Sequence, residues 1–170
     1  ARRLLFVGEP GRRDRPADAR VLGDAVDHRQ THDEPRRDVS PDRRYAGDAL
    51  VLDKWLTLQA AIPETGTLDR VKGLMEHEAF SMANPNRVRS LIGGFASGNP
   101  TQFNRADGAG FEFVADVVIE LDPRNPQVAA RLLGAFRSWK ALEPKRRARA
   151  EAALQRVGAT DPLSPDVSDL

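Results

Sequence analysis

"NPNRVRSLIGGFASGNPTQFNRADGAGFEFVADVVIELDPRNPQVAARL", residues 84–132, decides the fold. It contains Asn84-Pro85, Asn99-Pro100 and Asn125-Pro126. Each pair is built to start a helix. The Asn side chain accepts a hydrogen bond from an otherwise orphan backbone N–H, and proline at the first helical position lacks an N–H that had no partner there. The first start opens "PNRVRSLIGGFA", with Val88, Leu91, Ile92 and Phe95 on its core face. The second opens the short "PTQFNRAD", followed by Gly108 and Gly110. The third opens "PQVAARLLGAFRSWKAL", with Val128, Leu132, Leu133, Phe136 and Trp139 facing inward. Between them "FEFVADVVIELD" is rich in Val and Ile, yet its apolar positions 111, 113, 114, 117, 118 and 121 follow a helical stripe rather than alternation.

The helical pattern extends both ways. In "GDALVLDKWLTLQAAIP", Leu50, Leu52, Trp55, Leu56, Leu58 and Ile62 predict a broad apolar stripe, ended by Pro63. In "TGTLDRVKGLMEHEAF", Thr67 is placed to cap, and Leu68, Val71, Leu74 and Met75 form the buried face. "EPKRRARAEAALQRVGA" predicts a last helix with its charges outside, including the run at 145–149. Six or seven short helices with short connections predict an all-α fold. Neighbouring antiparallel pairs, each too small to bury its own face, stack into an irregular α-solenoid of HEAT or armadillo type. A compact helical bundle is the structural competitor.

Residues 1–44 read differently. They carry eleven Arg, no Lys and nine acidic residues, with few apolar anchors. Such a segment cannot offset its ordering entropy by burial, so it is expected to be irregular, with at most a short helix near 17–26. The domain reading is therefore an irregular Arg-rich segment over 1–44 and a helical domain over 45–170.

Composition excludes several functions. With 26 basic and 25 acidic side chains the formal charge is +1, which gives no broad field for nucleic acid or an anionic membrane. Ten aromatic residues make a base-stacking surface unexpected. Cysteine is absent, which removes disulfides and thiolate chemistry and leads to an expected cytoplasmic location. No apolar run reaches the roughly eighteen residues of a spanning helix.

His77-Glu78 begins like H-E-x-x-H, but position 81 is Ser, so two imidazoles cannot share one metal. His77 is expected at a helix C-terminus, where the dipole favours it. His28 and His32 have i,i+4 spacing, with Asp27, Asp33 and Glu34 nearby, but no apolar face supports a helix there. No metal site is expected in the chain. "GGFASGNP" and "RADGAGF" lack the lysine and the leading strand of a phosphate loop. Asp48 with Asp53, and Glu76 with Glu78, are carboxylate pairs of the kind that chance supplies in so charged a chain. No catalytic residue is assigned. Arg87 and Arg89 are the candidates for function, because they follow Asn84-Pro85 where the helix dipole does not favour cations and their forks suit carboxylates.

The quoted stretch, with "GDALVLDKWLTLQA", resembles the C-terminal helical domain of the bacterial aminopeptidase N family, over roughly Tyr45 to Val167. The resemblance implies a parent zinc metallopeptidase that removes N-terminal residues from peptides. Its zinc motif H-E-x-x-H and substrate motif G-A-M-E-N do not occur in this chain. It implies a non-catalytic domain that covers the active site and restricts access, with the parent's catalytic domain as partner and peptides as substrates. It places Arg87 and Arg89 in a segment lining the substrate cavity. Residues 1–44 depart from the family pattern, as a shifted reading frame or a divergent segment would, and "LSPDVSDL" stops short of the usual last helix. Exposed solenoid ends then predict modest stability or self-association. The alternative is a freestanding α-solenoid module that binds protein or peptide. An enzyme complete in this chain is the weakest reading, since nucleophile, metal ligands and cofactor loop are all missing.

Overall fold

The computed structural model describes residues 47–169. All regular elements among them are helical: α1 (Ala49–Ala61), α2 (Thr67–Met75), α3 (Pro85–Val88), a π-turn (Arg89–Gly93), α4 (Gly94–Gly98), α5 (Pro100–Phe103), α6 (Ala109–Leu121), α7 (Pro126–Leu133), a 3₁₀ segment (Gly134–Ala141), α8 (Pro144–Gly158) and α9 (Pro165–Ser168). The Arg-rich segment 1–44, with its His28, His32, Asp27, Asp33 and Glu34, lies outside the described residues.

The three Asn-Pro starts are present, and each Asn accepts a backbone N–H. Asn84 Oδ1 accepts from Asn86 at 3.0 Å, Asn99 Oδ1 from Gln102 at 3.2 Å, and Asn125 Oδ1 from Val128 at 3.3 Å. Three further caps join them. Asp48 caps α1 through the N–H groups of Leu50 and Val51. Glu143 caps α8 through Lys145 and Arg146, both at 2.9 Å. Ser164 caps α9 through Val167. Thr67 is not a cap. Gly66 holds that position, and the wholly buried Thr67 hydroxyl donates to Ile62 O at 2.6 Å, closing the α1–α2 turn.

One core runs through the described residues. On one side α1 packs on α2, the π-turn and α4; on the other, α6 packs on α7 and α8, and α7 on α9. Val88, Leu91, Ile92 and Phe95 are fully buried, as their spacing predicts. The expected apolar positions of α6, from Phe111 to Leu121, are buried as well. Phe103, Phe111 and Phe136 meet with ring centres 5.1–5.8 Å apart, and Phe95 meets Phe113 edge to face at 5.7 Å.

Two further expectations need correction. The stripe on α1 is narrower than its sequence suggests: Leu52, Leu56 and Ala60 are buried, but Leu50 and Leu58 are 71% and 66% exposed. Successive i+4 steps place Leu50 and Leu58 on the opposite side of the helix from Leu52, Leu56 and Ala60. "PQVAARLLGAFRSWKAL" is not one helix either. It tightens at Gly134 into the 3₁₀ segment, leaving Phe136 buried and Trp139 half-buried.

Two glycines set the α5–α6 corner. Gly108 has φ +80°, the left-handed region. Gly110 lets α6 touch α5: a Cβ there would lie 2.3 Å from Phe103 O and 2.5 Å from Gln102 O. Backbone cannot yield to that overlap as a flexible side chain would. We expect Gly110→Ala to destabilise by more than about 3 kcal/mol. Gly73→Ala, in the last turn of α2 with open space where a Cβ would go, should stabilise by roughly 0.5–1 kcal/mol. Urea titrations of the two variants check the pair.

The Glu143 cap gives a pH signature. Hydrogen bonds from the Lys145 and Arg146 backbone hold its carboxyl below the ordinary glutamate value of 4.5. A folded pKa below the unfolded one contributes stability above about pH 4.5, lost as pH falls through the lowered value. Glu143→Ala should lower the melting temperature at pH 7, and the gap to the parent should narrow by about pH 3, as scanning calorimetry at the two pH values would show.

Candidate functional site

The Asn84-Pro85 start fixes where its two arginines go. Asn84 caps the helix, Pro85 sets its first φ, and Arg87 then points inward beside Val88. Arg87 is 8% exposed. Its Nε donates to Ala79 O at 2.9 Å, and its Nη1 donates to Ala49 O at 3.0 Å and to the Asp53 carboxylate. One guanidinium therefore joins α1, the turn after α2 and α3. A rigid fork with several donors suits three acceptors from two segments, which a single ammonium would serve poorly. The Asp53 side chain is also largely covered, so each charge relieves the other's burial.

Arg89, two residues and about half a turn on, is exposed. Its Nε donates to Pro85 O at 3.2 Å and its Nη2 to Asn86 Oδ1, both on its own helix. The two arginines of one motif thus differ: Arg87 is held inside, and Arg89 offers its surface to solvent.

His77 sits beside this node. Helix α2 ends at Met75, and the His77 N–H closes its last turn onto Leu74 O at 3.2 Å. The His77 ring lies against Trp55, centres 5.7 Å apart, and its Nδ1 accepts the Ala79 N–H at 3.0 Å. That bond orders the turn that presents Ala79 O to Arg87. Glu76 and Glu78 are exposed. Among the described residues no group of three His, Asp or Glu is arranged to hold a metal. These residues do not fit zinc: one imidazole nitrogen is engaged by backbone, and Ser81 stands where a second histidine would be needed.

Sequence reasoning singled out Asp48 and Asp53 as a carboxylate pair and missed what separates them. Asp48 caps α1, for which Gly47-Asp48 before an apolar run is a readable signal. Asp53 is the Arg87 counter-ion across a separation of 34 residues, which no local pattern announces. Asp122 was also missed. It is 2% exposed, and its carboxylate accepts from Ser164 N at 2.8 Å and from the Ser164 hydroxyl, tying the end of α6 to the start of α9.

Residues 25–170 match the family described as a domain of unknown function (DUF3458_C) with ARM repeats. The chain belongs to this family. The match begins within the Arg-rich segment and runs through the helical part. The chain is 42% identical to aminopeptidase N of Escherichia coli (strain K12) over 126 residues, covering 74% of this chain and 14% of that protein. It is 39% identical over 126 residues to aminopeptidase N of Haemophilus influenzae, with the same coverage. Among solved structures it resembles a Legionella pneumophila aminopeptidase A in complex with aspartic acid, with a TM-score of 0.69 and 33% identity over 74% of this chain and 14% of that one. The chain therefore spans about one seventh of the length of these relatives. It is an aminopeptidase-type helical domain with an irregular ARM-like solenoid fold, and it carries no H-E-x-x-H motif.

The unequal placement of the two arginines separates them by experiment. Arg87→Met should destabilise by about 3 kcal/mol, because it leaves Asp53 covered and unpaired. Arg89→Met should change stability by no more than about 0.5 kcal/mol. Chemical denaturation of the two variants is the check, and equal losses would contradict the geometry.

Proposed function

We propose that this chain is the C-terminal helical domain of a zinc aminopeptidase of the N type, and that it covers the active site and restricts which peptides reach it. The observation that carries the reading is the 42% identity to one seventh of an aminopeptidase, in a chain without that enzyme class's zinc motif. The chemistry then belongs to residues outside this chain, where zinc polarises the scissile carbonyl and activates water. The partner of this domain is the parent's catalytic domain, the substrates are peptides, and the absence of cysteine supports a cytoplasmic location.

In this reading Arg87 and Arg89 belong to the wall of the substrate cavity. Arg89, with its exposed guanidinium, is the one offered to a peptide. Arg87 acts through the wall's shape, by holding α1, the Ala79 turn and α3 together. A separate binding module is the second reading, and the solenoid fold is its support.

A chimera tests the proposal. Residues 47–170 replace the matching region of the Escherichia coli enzyme, and hydrolysis of short and long peptides is compared with that of an enzyme lacking the region. The chimera should regain discrimination by peptide length, and Arg89→Glu should shift KM more than kcat. A folded chimera that treats all lengths as the deletion does would sink the covering role. Zinc-dependent hydrolysis by the isolated chain would overturn the non-catalytic assignment.

A further inference from the structure

We propose that the groove between α5 and the 3₁₀ segment is a docking site for a short acidic peptide segment carrying an apolar side chain. The proposal does not rest on the peptidase reading. The groove encloses about 560 Å³. Its floor is the buried edge-to-face pair Phe103 and Phe136, 5.1 Å between centres. The half-buried Trp139 and Leu142 form its apolar wall.

Its charge is one-sided. Arg131 and Arg137 line it, and among the described residues no Asp or Glu does. Both arginines are exposed, and among the described residues neither forms an ion pair. The Nε of Arg137 reaches only Gly134 O, at 3.4 Å. A third cation stands close: the Lys140 ammonium lies 5.6 Å from the centre of the Trp139 ring. The 3₁₀ geometry accounts for this edge, because its side chains eclipse every third residue and Arg137 and Lys140 therefore line up. The groove between α6 and α8 is different. There Glu112 and Asp116 face Arg149 and Arg156, and Arg156 already pairs with Asp116. The positive excess is thus local, in a chain whose formal charge is only +1.

The lining selects the ligand class. Guanidinium forks pair with carboxylates, and a cluster with no internal counter-ion keeps its donors available. A free phosphate would leave the aromatic floor and wall without a partner. A nucleic-acid strand needs a track of cations and several stacking faces, whereas this groove offers two arginines and a single partly open indole. An acidic segment with one aromatic or aliphatic side chain satisfies the two sets of groups together.

The test uses the full chain carrying Trp55→Phe, which leaves Trp139 as its only tryptophan. A hexapeptide of alternating Asp and Leu is titrated against Trp139 fluorescence, beside its Asn-for-Asp analogue. We expect a saturable change with the acidic peptide and about tenfold weaker binding of the amide analogue. Arg131→Glu with Arg137→Glu should weaken binding about tenfold or more. Lys54→Glu with Lys72→Glu, the same charge change at exposed sites elsewhere, should leave it intact. Circular dichroism melts confirm that both double variants fold. The proposal falls if the amide peptide binds as well, or if the control reversal weakens binding as much. It also falls if a single-stranded oligonucleotide of equal charge binds more tightly, or if sedimentation shows a second copy of the chain filling the groove.

Discussion

The side-chain amide of Asn99 ties the first helix to the middle of the fold. Its Oδ1 accepts the Gln102 N–H and starts α5, while its Nδ2 donates to Ala60 O at 3.0 Å and Ile62 O at 2.8 Å, at the C-terminal end of α1. A helix end leaves carbonyls without partners, and burying them unpaired is costly. Asn99 is 1% exposed, so water cannot take its place. One amide therefore satisfies the start of one helix and the end of another. With that corner fixed, Phe95 and Ala96 lie buried in the core and α4 packs on α1.

The remaining corners follow the same logic of small groups satisfying helix ends. Arg87 brings the start of α1 and the Ala79 turn to α3, and Asp122 holds the loop before α9 to the end of α6. Gly110 removes the one Cβ that would keep α6 off α5. Short helices gain little stability from their own hydrogen bonds, so their positions are set by such ties and by the shared apolar core. Surfaces away from the ties are free to differ in charge, as the two solvent grooves do.

The longer α-helices were legible because their signals are local. An Asn-Pro pair, a cap residue or a three-and-four apolar spacing acts within one or two turns of its own chain. Hence α6 reads as a helix in spite of its Val and Ile content, and its expected positions are the buried ones. Misreadings occurred where the deciding neighbour is distant or the geometry subtle. Thr67 has the chemistry of a cap but lies buried and donates to Ile62 O. Leu50 and Leu58 have the chemistry of a core but lie on the side of α1 away from the residues that pack on α2 and α4. The candidate arginines were visible as a pair; their opposite environments were not.

Sequence alone determined the all-helical class, the three helix starts at Asn-Pro pairs, and the lack of a zinc motif, since each follows from residue identity and spacing along a few turns. It also carried the resemblance to the aminopeptidase helical domain. Tertiary structure decided which of three identical Asn-Pro starts is a buried corner, which of two arginines is held inside, and which arginines gather beside an aromatic floor. Those outcomes depend on contacts such as Arg87 with Asp53 and Asn99 with Ala60, separated by 34 and 39 residues. Local pattern holds no information about which distant group closes such a contact, so only the folded chain fixes it.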